Sequence, residues 1–257
     1  MQGDSALGRV LALVRELRKR SPWNAAQTPY TLRPYLVEEV LELDHAIASG
    51  DPLQLREELG DMLLHLSFQI VLAEERSQLD AETVVRTLEQ KMRRRHAWLL
   101  GGQPPTAATQ RDSWERSKRA EAGASGRSAF AGVPPHLPPL LMALRLQERA
   151  AGVGFDWPDE KGPQAKVREE MAELEEVSRD ASDRERMAIE LGDLFFAAVN
   201  LSRKLGVDPN QALEIANKKF RWRFEAVERI ARERGVEVGE ATLDELDTLW
   251  EEVKEGT

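Results

Sequence analysis

Glu169-Glu170-Met171-Ala172-Glu173, followed by Glu190-Leu191-Gly192-Asp193, is the stretch that decides the fold, because the first half of the chain contains the same signature. The first copy is Glu38-Glu39-Val40-Leu41-Glu42 and then Glu58-Leu59-Gly60-Asp61. Each copy has two adjacent glutamates, a third glutamate three positions on, and a Glu-Leu-Gly-Asp after a short gap. This repeat predicts a duplicated domain in which each copy carries its own acidic cluster.

Carboxylates three or four residues apart share one face of a helix. Two antiparallel helices in each half can therefore present two acids each to a common point. Acids that meet in this way repel one another, and a cation is needed to stabilise them. Hard divalent ions such as Mg²⁺ take oxygen ligands and keep waters for a phosphate substrate. The repeat therefore predicts a metal site and points to phosphate chemistry.

The composition of the 257-residue chain fits a helical protein with two domains. Hydrophobic residues make up 41% and charged residues 32%, and the two tyrosines and few β-branched runs argue against a β-rich fold. There is no cysteine, which excludes a disulfide framework and a thiolate nucleophile. The net charge of −9 would repel a polyanion, so we expect no nucleic-acid partner, whereas a small nucleotide remains compatible.

Two features of the sequence bear on location. The first twenty residues have the mixed charge of an amphipathic helix and lack the features of a signal peptide. No run of about 18 apolar residues occurs, so we expect no membrane contact and a cytoplasmic protein.

Helical periodicity dominates both halves, and Pro, Gly and Asp mark the helix ends. The third helix is expected to bury a stripe that includes Leu59, Leu66 and Ile70. The glycine inside each Glu-Leu-Gly-Asp costs about 1 kcal/mol against alanine, and close approach of a neighbouring helix would explain it. The pattern predicts helices at about 1–20, 34–49, 52–75 and 80–99, a short helix at 111–122, and helices at 140–150, 162–180, 184–205, 209–234 and 243–254.

The sequence thus predicts an all-α fold built by tandem duplication of a four-helix unit, which can bury one compact core. We expect an N-terminal domain at 1–122, a linker rich in Gly, Ser and Pro at 123–139, and a C-terminal domain at 140–257. A basic cluster follows the acids in each half. Lys219 and Arg223 lie four apart on one helix face, where they suit phosphate oxygens.

Over nearly its full length the chain resembles the MazG family, two-domain nucleoside triphosphate pyrophosphohydrolases of the all-α NTP pyrophosphatase superfamily. The resemblance rests on both acidic signatures and on three further motifs: Pro22-Trp23-x-x-x-Gln27-Thr28, Gly152-Val153-Gly154-Phe155-Asp156-Trp157 and Asn217-Lys218-Lys219-Phe220. It implies a Mg²⁺-dependent homodimer that hydrolyses ribo- and deoxyribonucleoside triphosphates to the monophosphate and pyrophosphate, in house-cleaning of the nucleotide pool.

The resemblance also implies roles for single residues. Lys219 and Arg223 would bind phosphates, and Asn200 has an amide that could hydrogen-bond the ligand. Trp250 and Lys254 match positions that help to close the nucleotide site. The metal ligands would be Glu39, Glu42, Glu58 and Asp61 in the first half and Glu170, Glu173, Glu190 and Asp193 in the second.

The halves differ in ways that favour the second as the main catalytic unit. Asn200 falls seven residues after Asp193, whereas Phe68 falls seven after Asp61. An amide is thus replaced by an apolar ring in the first half, which also lacks a counterpart of Trp250 and Lys254 within its own unit.

The expected mechanism is in-line attack of water on the α-phosphorus, with Glu169 or Glu170 as the general base. Lys219 and Arg223 would stabilise charge on the departing pyrophosphate. Two other hypotheses stay open. One is a non-catalytic helical module that binds nucleotide or metal and regulates a partner. The other is a narrower pyrophosphohydrolase, acting on dUTP or phosphoribosyl-ATP.

Overall fold

The structure, a computed structural model, describes residues 5–96, 98, 106, 128–179 and 183–255. Its regular elements in these ranges are helices, and no strand occurs among them. The described residues form two compact units, one within 1–105 and the other within 106–257. The prediction of an all-α tandem duplication is confirmed. Within the same ranges, no helix has the length and apolarity that crossing a membrane would need.

Five helices occur among the described residues of the first unit, and their ends follow from local sequence. The α3–α4 turn illustrates this: Gly50 closes α3 in the left-handed conformation with φ of 72°, and Asp51 accepts a 2.8 Å hydrogen bond from the amide of Leu53. Pro52 then takes the first helical position. The bounds are α1 Ala6–Arg20, α2 Pro22–Ala26, α3 Arg33–Ser49, α4 Pro52–Glu75 and α5 Ala81–Arg95.

Helix α2 was not among the predicted helices, because Ser21-Pro22-Trp23 resembles a simple break. Ser21 ends α1 and also caps α2, since its side chain accepts a hydrogen bond from the amide of Asn24 at 3.3 Å. Proline at the first helical position costs nothing there, because its missing N–H would have no partner. The same three residues therefore stop one helix and start another.

The core of the first unit differs from the predicted α4 stripe. Leu59 and Leu66 are 52% and 49% exposed, and Ile70 is only partly buried. The buried face of α4 instead carries residues that pack with α1, because α1 covers the C-terminal half of α4. The core consists of Leu11, Val14, Leu32, Phe68, Val71, Leu72 and Ala81.

The described part of the second unit also contains five helices. Helix α8 packs against α6, α7 and α9, and the C-terminal helix α10 packs on α9. Ala226, Val227 and Ala231 of α9 form a core with Leu249 and Val253 of α10. The bounds are α6 Pro139–Ala151, α7 Lys161–Val177, α8 Arg184–Lys204, α9 Pro209–Glu233 and α10 Leu243–Glu255.

Three helices are shorter in the structure than the sequence predicted. Helix α5 ends at Arg95 rather than near 99, and α7 ends at Val177 rather than at 180. Helix α1 begins at Ala6, where the side chain of Ser5 caps it by accepting from the amide of Gly8 at 3.0 Å. The predicted short helix at 111–122 and the first part of the predicted linker lie outside the described residues.

Candidate metal centres and nucleotide site

The first acidic cluster lies where α3 meets α4. Glu39 comes from α3, and Glu58 and Asp61 come from α4, where they are three residues apart and share a face. One carboxylate oxygen from each lies within 4.8 Å of the others. The short turn at Gly50 makes the two helices antiparallel neighbours, and this brings acids that are distant in sequence to one point.

The second cluster repeats this geometry between α7 and α8. Glu170 of α7 meets Glu190 and Asp193 of α8, again with one oxygen from each within 4.8 Å of the others. Glu170 is only 4% exposed. A buried carboxylate is stable only when it is paired, hydrogen-bonded or coordinated to a metal, so this residue defines the inner end of the cluster.

The fourth predicted ligand of each cluster lies at its margin. Glu42 and Glu173 are not among the three acids whose oxygens converge. They are nevertheless close enough to act on them. Burial raises the pKa of Glu58, and the charge of Glu42 raises it further. Burial likewise raises the pKa of Glu173, followed by the charges of Glu170 and Glu190.

These clusters fit a divalent metal ion. Three carboxylates converge in each, and their repulsion is visible in Glu39, whose pKa is raised first by burial and then by the charge of Asp61. All converging atoms are carboxylate oxygens, the ligand type that Mg²⁺ and other hard cations prefer. A bound cation would remove the repulsion that raises these pKa values.

The side chain that contacts the inner glutamate is a lysine in the second unit and a histidine in the first. The Nζ atom of Lys166 lies 2.6 Å from Glu170 Oε1 and 2.8 Å from Glu169 Oε1. In the first unit, His65 Nε2 lies 3.5 Å from Glu39 Oε1, and Tyr35, at the place of Lys166, stacks on the His65 ring with centroids 6.5 Å apart. Lys166 was not among the predicted site residues, although its position four residues before Glu170 is a signal for ion pairing on a helix.

The residues predicted to bind phosphates and to close the nucleotide site lie on α9 and α10. The guanidinium carbon of Arg223 lies 6.0 Å from the Trp250 ring centroid, within reach of a cation–π contact. Phe220 packs against the same ring, with the two ring centroids 5.4 Å apart. Lys219 is exposed, and Lys254 pairs with its helix neighbour Glu251 at 2.7 Å. The structure thus brings Arg223 and Trp250 together.

The structure does not bring the basic residues of α9 to the acids of α7. Helix α9 contacts α6, α8 and α10, and no α7–α9 contact occurs in the described part of the unit. Among the ion pairs of the described residues, none joins Lys219 or Arg223 to a carboxylate of the cluster. The Nε atom of Arg223 is buried and has no hydrogen-bond partner in the described chain.

Asn200 belongs to a polar network that the sequence pattern did not predict. Its Oδ1 atom accepts hydrogen bonds from Nε and Nη2 of Arg203 at 3.1 Å and 2.8 Å. The guanidinium of Arg203 also pairs with Asp156, to which Lys204 Nζ donates at 3.1 Å. Burial alone would raise the pKa of Asp156, but the hydrogen bonds from Arg203 and Lys204 lower it. Trp157 follows Asp156 and lies against Gly162, where a Cβ would meet ring atom Cε3 at 2.3 Å.

Each unit presents clustered carboxylates from an antiparallel pair of helices and has basic residues one helix later. This arrangement defines the class of all-α nucleotide pyrophosphohydrolases. Comparison with known proteins agrees: residues 27–100 match the MazG nucleotide pyrophosphohydrolase domain, and residues 141–220 match the phosphoribosyl-ATP pyrophosphohydrolase family model. The chain belongs to the MazG family of nucleoside triphosphate pyrophosphohydrolases.

Two relatives show how far the similarity extends. A Thermotoga maritima protein named nucleoside triphosphate pyrophosphohydrolase/pyrophosphatase MazG is 41% identical over 92% of this chain and 92% of its own. An Escherichia coli nucleoside triphosphate pyrophosphohydrolase is 36% identical over 96% of this chain and 97% of its own. The similarity therefore includes both units.

Proposed function

We propose that this protein is an enzyme that hydrolyses ribo- and deoxyribonucleoside triphosphates to the monophosphate and pyrophosphate, with Mg²⁺ as cofactor. The observation that carries the proposal is the convergence of Glu170, Glu190 and Asp193 at the α7–α8 interface, in a chain of this family. When bound there, Mg²⁺ would neutralise triphosphate charge and lower the pKa of a coordinated water.

We propose that Glu173 completes the second metal site as a fourth ligand beside these three acids. Metal entry would favour the ionised form of Glu173, whose pKa is raised by burial and then by the charges of Glu170 and Glu190. The corresponding ligands of the first unit are Glu39, Glu42, Glu58 and Asp61.

We propose that a glutamate of the second unit takes the proton of the attacking water. Water attacks the α-phosphorus, the bond from that phosphorus to the oxygen bridging to the β-phosphate breaks, and pyrophosphate departs with the bond's electrons. Glu169 or Glu170 accepts the proton of the attacking water and later passes it to solvent. The 56% exposure of the Glu169 side chain supports its access to water, whereas Glu170 is buried among the ligands.

Lys219 and Arg223 are proposed to bind the departing pyrophosphate, with Asn200, Trp250 and Lys254 holding the nucleotide. Arg223 supports this role, since its guanidinium packs against Trp250 and its Nε retains an unused donor among the described residues. Because Asn200 and Trp250 have no counterpart in the first unit, we infer that the second unit, within 140–257, carries most of the activity.

We also propose that the protein is a homodimer. Monomeric proteins rarely expose large contiguous apolar surfaces, yet Ile189 and Phe195 beside the second cluster are 56% and 57% exposed. In the first unit, Leu41 and Leu59 are 62% and 52% exposed. A second copy packed on these helices would bury such residues and could bring basic residues of α9 to the acids.

Nucleoside triphosphates are made and used in the cytoplasm, so we expect the enzyme there.

The glycines of the acidic signatures support the same proposal. A Cβ at Gly60 or Gly192 would meet no atom within 4 Å. The expected close approach of a neighbouring helix is therefore absent from each described unit. An approaching helix from a second copy would account for glycine at both positions.

A second candidate is a narrower pyrophosphohydrolase that acts on phosphoribosyl-ATP. The match of residues 141–220 to that family model favours it. Both candidates use the same acidic cluster and cleave the same type of bond, so they differ in the nucleoside part of the substrate.

The test is a panel of ribo- and deoxyribonucleoside triphosphates, dUTP and phosphoribosyl-ATP, assayed with Mg²⁺ and with the products resolved. Monophosphate and pyrophosphate are expected from several triphosphates, and activity should cease when the metal is chelated. Diphosphate and orthophosphate as products would contradict the proposal. Turnover of phosphoribosyl-ATP alone would select the second candidate, and binding without turnover would indicate a regulatory module.

A further inference from the structure

The two units differ most at the C-terminal end of the helix that carries the Glu-Leu-Gly-Asp. When Glu58 is aligned with Glu190 and Asp61 with Asp193, three core residues of the first unit align with polar residues of the second. In the first unit these residues are 5%, 2% and 2% exposed. The aligned pairs are Phe68 with Asn200, Val71 with Arg203, and Leu72 with Lys204.

Such a replacement is costly unless the polar groups find partners, because burying an unpaired polar group destabilises a fold. The side chains of Arg203 and Lys204 are only 12% and 16% exposed. Their partners are Asn200 and the segment at 152–157, one of the motifs on which the family resemblance rests. The second unit has therefore exchanged apolar packing for a satisfied polar network.

The network fixes which end of the Asn200 amide is free. Arginine has only donors, so the atom of Asn200 that faces Arg203 must be its oxygen. That oxygen accepts two hydrogen bonds, at 3.1 Å and 2.8 Å. The NH₂ group is thereby left as the donor. In the absence of Arg203 the amide could rotate and present either end.

The position of Asn200 relates this donor to the proposed site. Asn200 lies seven residues after Asp193, so it shares a face of α8 with that acid. A helix rises about 1.5 Å per residue, which places the two Cα atoms roughly 10 Å apart along the axis. If the phosphates bind at the acids, the Asn200 amide lies about as far from the acids as the nucleoside lies from the phosphates.

We propose that Arg203 is a positioning residue that orients the Asn200 amide, so that its NH₂ group donates a hydrogen bond to an acceptor on the nucleoside part of the substrate. This inference rests on the proposed function. The acceptor is an oxygen or nitrogen of the sugar or base. Arg203 itself touches Asn200 and Asp156 rather than the substrate.

Lys204 provides a matched control. It shares Asp156 with Arg203 and also donates to the main-chain carbonyl of Trp157, but it makes no hydrogen bond to Asn200. Lys204→Met therefore removes hydrogen bonds to the 152–157 segment and leaves the Asn200 amide oriented. Arg203→Met also removes hydrogen bonds to this segment, and it leaves the Asn200 amide free to rotate.

The experiment uses the 257-residue chain with Glu58→Gln, so that binding reports the second unit. Calorimetry with Mg²⁺ measures two kinds of ligand: the α,β-imido analogues of ATP, GTP, CTP and UTP, and inorganic tripolyphosphate, which lacks a nucleoside. Arg203→Met should weaken analogue binding about tenfold, the loss expected for one hydrogen bond. Tripolyphosphate binding should change less than about twofold, well below the effect of one hydrogen bond. Arg203→Lys, which retains a donor, should fall between wild type and Arg203→Met.

Two further comparisons complete the test. If Arg203 acts through Asn200, adding Arg203→Met to Asn200→Ala should cause no further loss of analogue binding. An abasic ribose triphosphate analogue that remains sensitive to Arg203→Met assigns the acceptor to the sugar, and an insensitive one assigns it to the base.

Three results would overturn the inference: equal losses for tripolyphosphate and the nucleotide analogues in both Arg203 variants, an equal loss in Lys204→Met, or additive losses in the double variant. A wild-type protein that binds the analogues but releases no pyrophosphate from natural triphosphates would contradict the proposed function alone.

Discussion

The ammonium group of Lys166 lies 2.6 Å from Oε1 of Glu170, the buried carboxylate of the second cluster. The same group lies 2.8 Å from Glu169, and these hydrogen bonds raise the pKa of Lys166. A lysine so placed supplies a positive charge to the acid that also faces Glu190 and Asp193. It therefore stabilises the metal-free cluster and competes with any cation that binds there.

Replacing Lys166 with Met should tighten binding of Mg²⁺ to the second unit about threefold to tenfold, because the metal no longer displaces an ammonium ion. Calorimetry in the Glu58→Gln background measures this. Lys218→Met is the control, since Lys218 pairs at 2.6 Å with Glu214, away from the cluster. Weaker metal binding in Lys166→Met would show that the lysine assists rather than competes.

Metal binding should weaken as the pH falls toward 4.5. Burial and neighbouring charges raise the pKa values of Glu39, Glu58 and Glu173 above 4.5, so the metal-free clusters retain protons just above that pH. A metal must displace these protons. Calorimetry in buffers of different ionisation enthalpy should detect proton release in that window. Affinity that stays constant as the pH is lowered from 7 to 4.5 would contradict this expectation.

The raised pKa values of these three glutamates also determine how the stability of the fold depends on pH. A carboxyl group whose pKa is higher in the folded state destabilises the fold when it is ionised. These three groups therefore favour folding more as the pH falls through their folded pKa values. Asp156 acts in the opposite sense: its pKa is lowered, so its contribution is lost at acid pH. Thermal melts of Glu173→Gln, without metal at neutral pH, should show a melting temperature above that of the unchanged protein.

The two clusters should contribute unequally to turnover. Glu190→Gln should reduce the rate of pyrophosphate release by at least about a hundredfold, the effect expected from losing a group that organises the transition state. Glu58→Gln should leave most of the rate intact, because the first unit has Phe68 where the second has Asn200. Steady-state kinetics with Mg²⁺ compares them. Loss of turnover in Glu58→Gln, with Glu190→Gln still active, would reverse the assignment.

Light scattering should give twice the chain mass of 29.0 kDa. Phe195→Glu, at a side chain that is 57% exposed on α8, should shift the protein toward the monomer, because a buried charge opposes association. Leu13→Glu changes a residue on α1 that is 52% exposed and serves as the control. A monomeric unchanged protein would contradict the proposed dimer.

Leu72→Ala should lower the free energy of unfolding of the first unit by about 2–5 kcal/mol, because it leaves a cavity in a packed core. Leu72 is 2% exposed, whereas Leu88 is 52% exposed. Leu88→Ala should therefore change stability by no more than about 0.5 kcal/mol. Urea unfolding followed by circular dichroism measures both. Equal effects of the two substitutions would show that the core is placed wrongly.

Helix positions were largely predictable because their signals are local. Gly50, Asp51 and Pro52 specify the end of α3 and the start of α4 within three residues. The buried face of α4 was less predictable, since Leu59 and Phe68 are both apolar and only the position of α1 decides that Phe68 is covered. Exposed apolar residues on the same helix also blur the periodic pattern that marks a core.

The acidic clusters show the same division. Spacing of three residues on a helix places Glu58 beside Asp61 whatever else the chain does. The convergence of Glu39 with them depends on how α3 and α4 pack, and so does the marginal position of Glu42. The contacts of Lys166 could be anticipated from its spacing, but those of Arg203 could not, because Asp156 lies far from it in sequence.

The sequence by itself determined the all-α class, the duplication and the family, because helix signals and repeated motifs act over a few residues. Only the tertiary structure decided which three acids of each cluster meet and which face of α4 is buried. It also decided that the second unit holds a polar network where the first has a core. These depend on contacts between helices that are distant in the chain, and such contacts are set by packing rather than by local preference.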